Sequence, residues 1–168
     1  MRIRILGAVC RIALLPMLGV AAACAHGDAG IGAGVPSVAI ERAIVVSDAA
    51  VGNETAAYAV FVNTGAATGI VGAECTCADA LELHLAQREG PNPGMVNAWP
   101  LTLPANSRTE ITPPGVPRHL MLVGTKAPMA AGERLTLRFK LEDGSWIEGD
   151  FVAVPSSTEA WRAFDEAE

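Results

Sequence analysis

Four side chains in this chain have the types and spacing to hold one metal ion. His84, Met95, His119 and Met121 occur as His-(ten residues)-Met-(twenty-three residues)-His-Leu-Met. Two imidazoles and two thioethers suit a single soft ion. Thioether sulfur is a poor ligand for hard cations and for zinc, but it suits Cu(I). It also stays neutral at any pH, so a His2Met2 set leaves bound Cu(I) with a charge of +1. Cu(I) is therefore the expected ion, with Cu(II) as the alternative. Taken singly, the residues say little. A lone Met is usually core filler, and a lone exposed His is usually a surface residue.

These ligands must be positioned by strands. LTLRFKL alternates cleanly, with Leu135, Leu137, Phe139 and Leu141 on one face and Thr136, Arg138 and Lys140 on the other. VAIERAIVV, AYAVFVN, IVGA, LELHL, the short MVNA, RTEI, HLMLV and WIEGDFVAV read as further strands. The breaks between them carry turn residues: Asn63-Thr64-Gly65, Pro91-Asn92-Pro93-Gly94, Pro113-Pro114-Gly115 and Asp143-Gly144. Short strands separated by such turns predict an all-β fold, an antiparallel β-sandwich. The alternation also places the ligands. Leu81, Leu83 and Leu85 take the core, so His84 shares the outer face with Glu82. Leu120 and Leu122 take the core, which leaves His119 and Met121 outside. Side chains two apart on a strand lie ~6.6–7 Å apart on one face, close enough to converge on one ion. Met95 follows Pro-Gly, so a loop is expected to present it.

The same residues resemble a known family. From Ala56 to about Val154 the chain is similar to the periplasmic copper chaperones called PCuAC, through AAYAVFVNTG, IVGAE, LELH, GM, LPANSRTEI and HLMLVGTKAPMAAGERLTLRF. The family pattern is His-x10-Met-x21-His-x-Met. The first spacing agrees. The second is two residues longer here, an insertion assigned to the Pro-rich turn TPPGVPR before His119; added loop length costs little. The resemblance implies a cupredoxin-like or immunoglobulin-like sandwich. It also implies delivery of copper to the copper centres of a cytochrome c oxidase, with an oxidase subunit or a thiol-containing assembly factor as partner.

The ends read as processing segments. Arg2, Arg4 and Arg11 precede or flank the short apolar run IALLPMLGVAAA, so residues 1–24 are expected to be a secretory signal. Cys24 after Ala-Ala-Ala is a candidate lipidation site, although Ala21 stands where lipoproteins usually carry Leu. Cleavage at a nearby Ala-x-Ala site is the rival. Either way the expected location is the periplasm, free or lipid-anchored. Residues 25–36 (AHGDAGIGAGVP) suit a flexible linker, and His26 within it reads as a solvated linker residue. Residues 37–155 form the expected copper-binding domain, and 156–168 a C-terminal tail.

Removing residues 1–23 takes away three basic and no acidic residues, leaving 9 Lys+Arg against 18 Asp+Glu, a net charge of −9. Such a chain should not bind nucleic acid or an anionic membrane through charge. Membrane association is expected only through a lipid anchor. The tail SSTEAWRAFDEAE predicts a short helix with Ser156 and Glu159 as a capping box. Trp161 and Phe164, three apart, are expected to share a face that packs on the domain, with a partner-docking helix as the alternative.

Cys75-Thr-Cys77 departs from the family pattern, which has small or Pro-containing residues there. Three readings stand side by side. A disulfide needs a turn, because side chains two apart on a strand exceed the usual bridge distance. Two thiolates could form a second Cu(I) site or join the first. Both could be small buried residues. An oxidising compartment favours the disulfide. Met129 sits in a turn and reads as a surface or packing residue.

The function expected is a copper chaperone, not an enzyme: neither a Ser/His/Asp set nor zinc-type ligand spacing occurs. An electron-transfer cupredoxin is the first rival, but it wants a Cys thiolate with two His and an axial Met. A β-sandwich interaction module without metal is the second.

Overall fold

The computed structural model describes residues 37–87, 94–112 and 118–166. The expected signal, the 25–36 linker, Cys24, His26 and most of the turns at 91–94 and 112–118 lie outside the described residues. Among those described, the strands are β1 (Val38–Val46), β2 (Thr55–Asn63), β3 (Thr68–Glu74), β4 (Ala78–Gln87), β5 (Gly94–Asn97), β6 (Leu101–Leu103), β7 (Ser107–Ile111), β8 (Arg118–Thr125), β9 (Arg134–Leu141) and β10 (Trp146–Val154), followed by helix α1 (Ser157–Asp165). The short strand β6 was not legible in the sequence. It has only three residues, too few for alternation to register.

The strands pair in the order β5-β4-β8-β2-β1-β10-β9-β3-β6, and β3 also pairs with β4. That last contact closes β4, β8, β2, β1, β10, β9 and β3 into a ring. The all-β reading holds, but the antiparallel sandwich is corrected to a closed barrel-like sheet. Nor is every pair antiparallel: β1 and β10 run parallel through Ile44↔Val152 to Val46↔Val154. Alternation marks an inward face. It does not say whether that face meets a second sheet or the far wall of its own.

The barrel interior holds Phe61, Ile70, Leu83, Leu101, Leu103, Ile111, Leu120, Leu122, Leu137, Phe139 and Phe151, all fully buried. Phe139 sits between Phe61 (centroids 5.3 Å, edge-on) and Phe151 (6.0 Å). At one end of the barrel, the buried Asn63 amide donates to the carbonyls of Ala66, Leu103 and Pro104 and accepts from Gly65 N–H. It thereby ties the β2–β3 turn to the end of β6.

A smaller apolar cluster lies outside the barrel. Ile44, Val46 and Val60 face outward and pack against Ala160 and Phe164 of α1. The helix explains why β1 ends in an unbroken apolar run: inward and outward positions are both covered. A bulge at Arg42 (φ 47°) shifts the register of β1 against β2. The capping expectation is met on the Ser156 side, whose hydroxyl accepts from Glu159 N–H at 3.2 Å. The shared face of Trp161 and Phe164 is corrected. Ala160 and Phe164, four apart, make the buried stripe, and Trp161 is 41% exposed. Among the described residues no helix is long and apolar enough to cross a membrane.

Candidate metal centre

β4 and β8 form a seven-pair antiparallel ladder from Ala78↔Thr125 to Leu85↔Arg118. Leu81, Leu83, Leu120 and Leu122 anchor it by pointing into the core. The alternate residues therefore point outward, and the register decides which of them meet. His84 lies directly opposite His119, and Glu82 directly opposite Met121. The two imidazoles stand edge to face with centroids 5.5 Å apart. On the other side of β4, β5 pairs Met95 with Ala86 and Asn97 with His84. Ala86 is two residues from His84, so Met95 shares the outer face. The register thus sets a diagonal row: Met95 beyond one end of the His pair, Met121 beyond the other. Directly opposite residues lie within ~5.5 Å, and diagonal ones ~7–8 Å apart, distances that flexible thioethers can span. The expected loop presentation of Met95 is corrected: a short strand holds it, and the residue is 56% exposed.

The centre is not fully open. The His84 side chain is only 15% exposed. Its Nε2 lies 2.7 Å from Glu82 Oε2, while its Nδ1 is buried without a hydrogen-bond partner. Burial, with His84 alongside, lowers the His119 imidazole from its ordinary value, a direction that favours the neutral form a metal requires. Among the described residues no three His, Cys, Asp or Glu side chains cluster to hold a metal.

Cys75 and Cys77 are joined by a disulfide, with Cα atoms 5.2 Å apart. This is shorter than the ~6.6–7 Å of an extended pair, because residues 75–77 turn between β3 and β4. The Cys77 N–H donates to Cys75 Sγ, and the Cys77 carbonyl accepts from Lys126 N–H. This turn lies at the opposite end of β4 from His84. Six residues of strand lie between Cys77 and His84, seven steps or about 23 Å along the strand, so the reading in which the thiolates join the first site is corrected. The electron-transfer alternative meets the same obstacle, since no described thiolate stands beside the His pair. Met129 packs against the barrel core.

The sequence profile of the family described as "LpqE-like: Putative lipoprotein LpqE-like" matches residues 38–155, which run from the first residue of β1 to the one following β10. The chain belongs to the LpqE-like family. A relative from Leifsonia xyli subsp. xyli, named "Putative lipoprotein Lxx21020", is 37% identical to this LpqE-like chain over 103 residues. That match covers 60% of the chain and 59% of the relative. Among solved structures, the copper-bound PCuAC domain from PmoF2 has the same fold, with a TM-score of 0.59 at 16% identity over 73% of this chain and 96% of that one. The solution structure of CuI-DR1885 from Deinococcus radiodurans matches with a TM-score of 0.57 at 25% identity, over 73% and 80% respectively. The PCuAC resemblance read from the ligand spacing is therefore shared by the fold.

Proposed function

We propose that this LpqE-like protein is a copper chaperone that binds Cu(I) through His84, Met95, His119 and Met121 and passes it to a recipient protein. One observation carries the reading: the β4–β8 register sets His84 opposite His119 with Met121 on the same outer face, and the β4–β5 register adds Met95 to that face. The copper in the PmoF2 domain and the CuI in DR1885 support the choice of metal. A carrier must bind and then release. Two neutral thioethers near the surface fit this, because a partner's thiolates can replace ligands one at a time. The largely exposed Met95 on its short strand is the natural first ligand to yield. The recipient we propose is a copper centre of a cytochrome c oxidase, reached directly or through a thiol-containing assembly factor. The lipoprotein names of the family and of the Leifsonia relative support lipidation at Cys24 and a periplasmic, membrane-anchored location.

The test is metal choice together with one ligand. Cu(I) should be held far more tightly than Zn(II), because thioethers favour the softer ion. Met121→Ala should weaken Cu(I) strongly while changing stability by less than about 1 kcal/mol, since the side chain lies on the outer face. Competition titrations against chromophoric chelators for each metal read both. Equal affinity for Zn(II), or a Met121→Ala variant binding Cu(I) like the parent, would remove the His2Met2 site.

The cysteines give a second expectation. With the disulfide formed, neither sulfur is free, so the oxidised protein and the Cys75→Ser/Cys77→Ser variant should each bind one Cu(I). The bridge closes a loop only three residues long, so losing it should cost roughly 1–2 kcal/mol on chain-entropy grounds. Two Cu(I) per oxidised chain, by metal analysis after desalting, would contradict this assignment.

A further inference from the structure

We propose that Glu82 is the positioning residue of the metal centre: its carboxylate accepts the Nε2–H of His84 and so presents the Nδ1 lone pair to the ion. The inference rests on the copper reading above and adds a residue to it. A neutral imidazole carries one N–H and one lone pair, and the partner of the first fixes the place of the second. Here Glu82 Oε2 lies 2.7 Å from His84 Nε2, the length of a charge-assisted hydrogen bond. The proton therefore belongs on Nε2. The remaining nitrogen, Nδ1, is buried with no partner. A buried polar atom left unpaired costs free energy and calls for an explanation. An ion seated between the edge-to-face rings of His84 and His119 supplies one. Metal-bound histidines commonly hold a carboxylate on the other nitrogen, which fixes the ring and raises its basicity.

The sheet geometry makes the arrangement natural. Glu82 and His84 are two apart on one strand, so they share the outer face, and Glu82 stands opposite Met121. The carboxylate thus occupies the row beside the His pair while its oxygen is engaged by His84. It shapes the site without adding a hard ligand to a soft one. The Glu82 side chain is 44% exposed, so water competes for the same oxygen and the effect should fall at the lower end of the range for such partners.

Two readouts test this. In the copper-free protein, long-range 15N imidazole spectra, recorded where both rings are neutral, should show His84 protonated at Nε2. Glu82→Ala should mix the two tautomers, and Glu82→Gln, whose carbonyl still accepts, should largely restore the parent pattern. In Cu(I) competition titrations Glu82→Ala should lose about 10-fold in affinity, within the 10–100-fold span for such partners, and Glu82→Gln should recover most of it. The amide spectrum of each variant reports folding independently. A parent protein with His84 protonated at Nδ1, or a Glu82→Ala variant with unchanged tautomer and affinity, would overturn the proposal. So would an oxygen ligand in the X-ray absorption spectrum of the Cu(I)-loaded protein, which would make Glu82 a ligand itself. If the parent fails to hold Cu(I), the copper reading fails instead, and the tautomer result still decides the role of Glu82 toward His84.

Discussion

Replacing His119 by alanine is expected to lower Cu(I) affinity by at least about 100-fold, more than the loss of an outer partner, which costs 10–100-fold. His119 holds the middle of the row. It faces His84 across the ladder and stands two residues from Met121 on its own strand. Without it, one imidazole and two diagonal thioethers remain, and neither thioether is directly opposite His84. The fold should survive, because the flanking Leu120 keeps its fully buried position and the backbone pairing does not depend on the ring. A Cu(I) competition titration, paired with a thermal melt followed by circular dichroism, separates the two effects. Full Cu(I) affinity in a folded His119→Ala protein would place the ion elsewhere.

Phe139→Ala should destabilise the protein by about 3–5 kcal/mol, the usual cost of emptying a buried aromatic site. Phe139 is 0% exposed and touches both Phe61 and Phe151, so its ring joins β2, β9 and β10 through the barrel interior. Against a total stability of roughly 5–15 kcal/mol, this is a large share, and the Tm should fall by roughly 10–20 °C. Phe139→Leu fills most of the volume and should cost clearly less. The hole opens on β9, which does not pair with β4 or β8. At temperatures where the variant remains folded, its Cu(I) affinity should therefore match the parent's. A Phe139→Ala protein that melts with the parent would show that the interior closes over the gap, contrary to its packing here.

The outward placing of His84, His119 and Met121 was legible because periodicity alone gives it, whereas the place of Met95 was not, since its face follows from the β4–β5 register. Thioether and imidazole name a soft ion. A two-residue repeat then puts His84 outside because Leu81 and Leu83 are inside, and His119 and Met121 outside because Leu120 and Leu122 are inside; Leu85, expected in the core as well, is only partly buried. The tail was legible for a local reason as well: Ser156 caps its own helix. Trp161 was misread because a three-residue spacing fits a shared helical face almost as well as the four-residue spacing of Ala160 and Phe164. Only the wall of β1 and β10 chooses between them.

The amino-acid sequence alone thus determined that His84, His119 and Met121 face outward from their strands and which ion such side chains suit, since both follow from side-chain chemistry and a local repeat. Tertiary structure alone decided the rest. Closure of the sheet through β3 and β4 is a pairing between strand edges, and edges carry no side-chain signature. The register that sets His84 against His119, rather than one residue along, comes from pairing two strands more than thirty residues apart in the chain. The turn that brings Cys75 within bridging distance of Cys77 and away from the His pair is a property of the barrel corner. Alternation already set Glu82 on the outer face with His84, but that its carboxylate meets the ring's Nε2 and leaves Nδ1 without a partner is a matter of side-chain geometry that residue spacing does not encode.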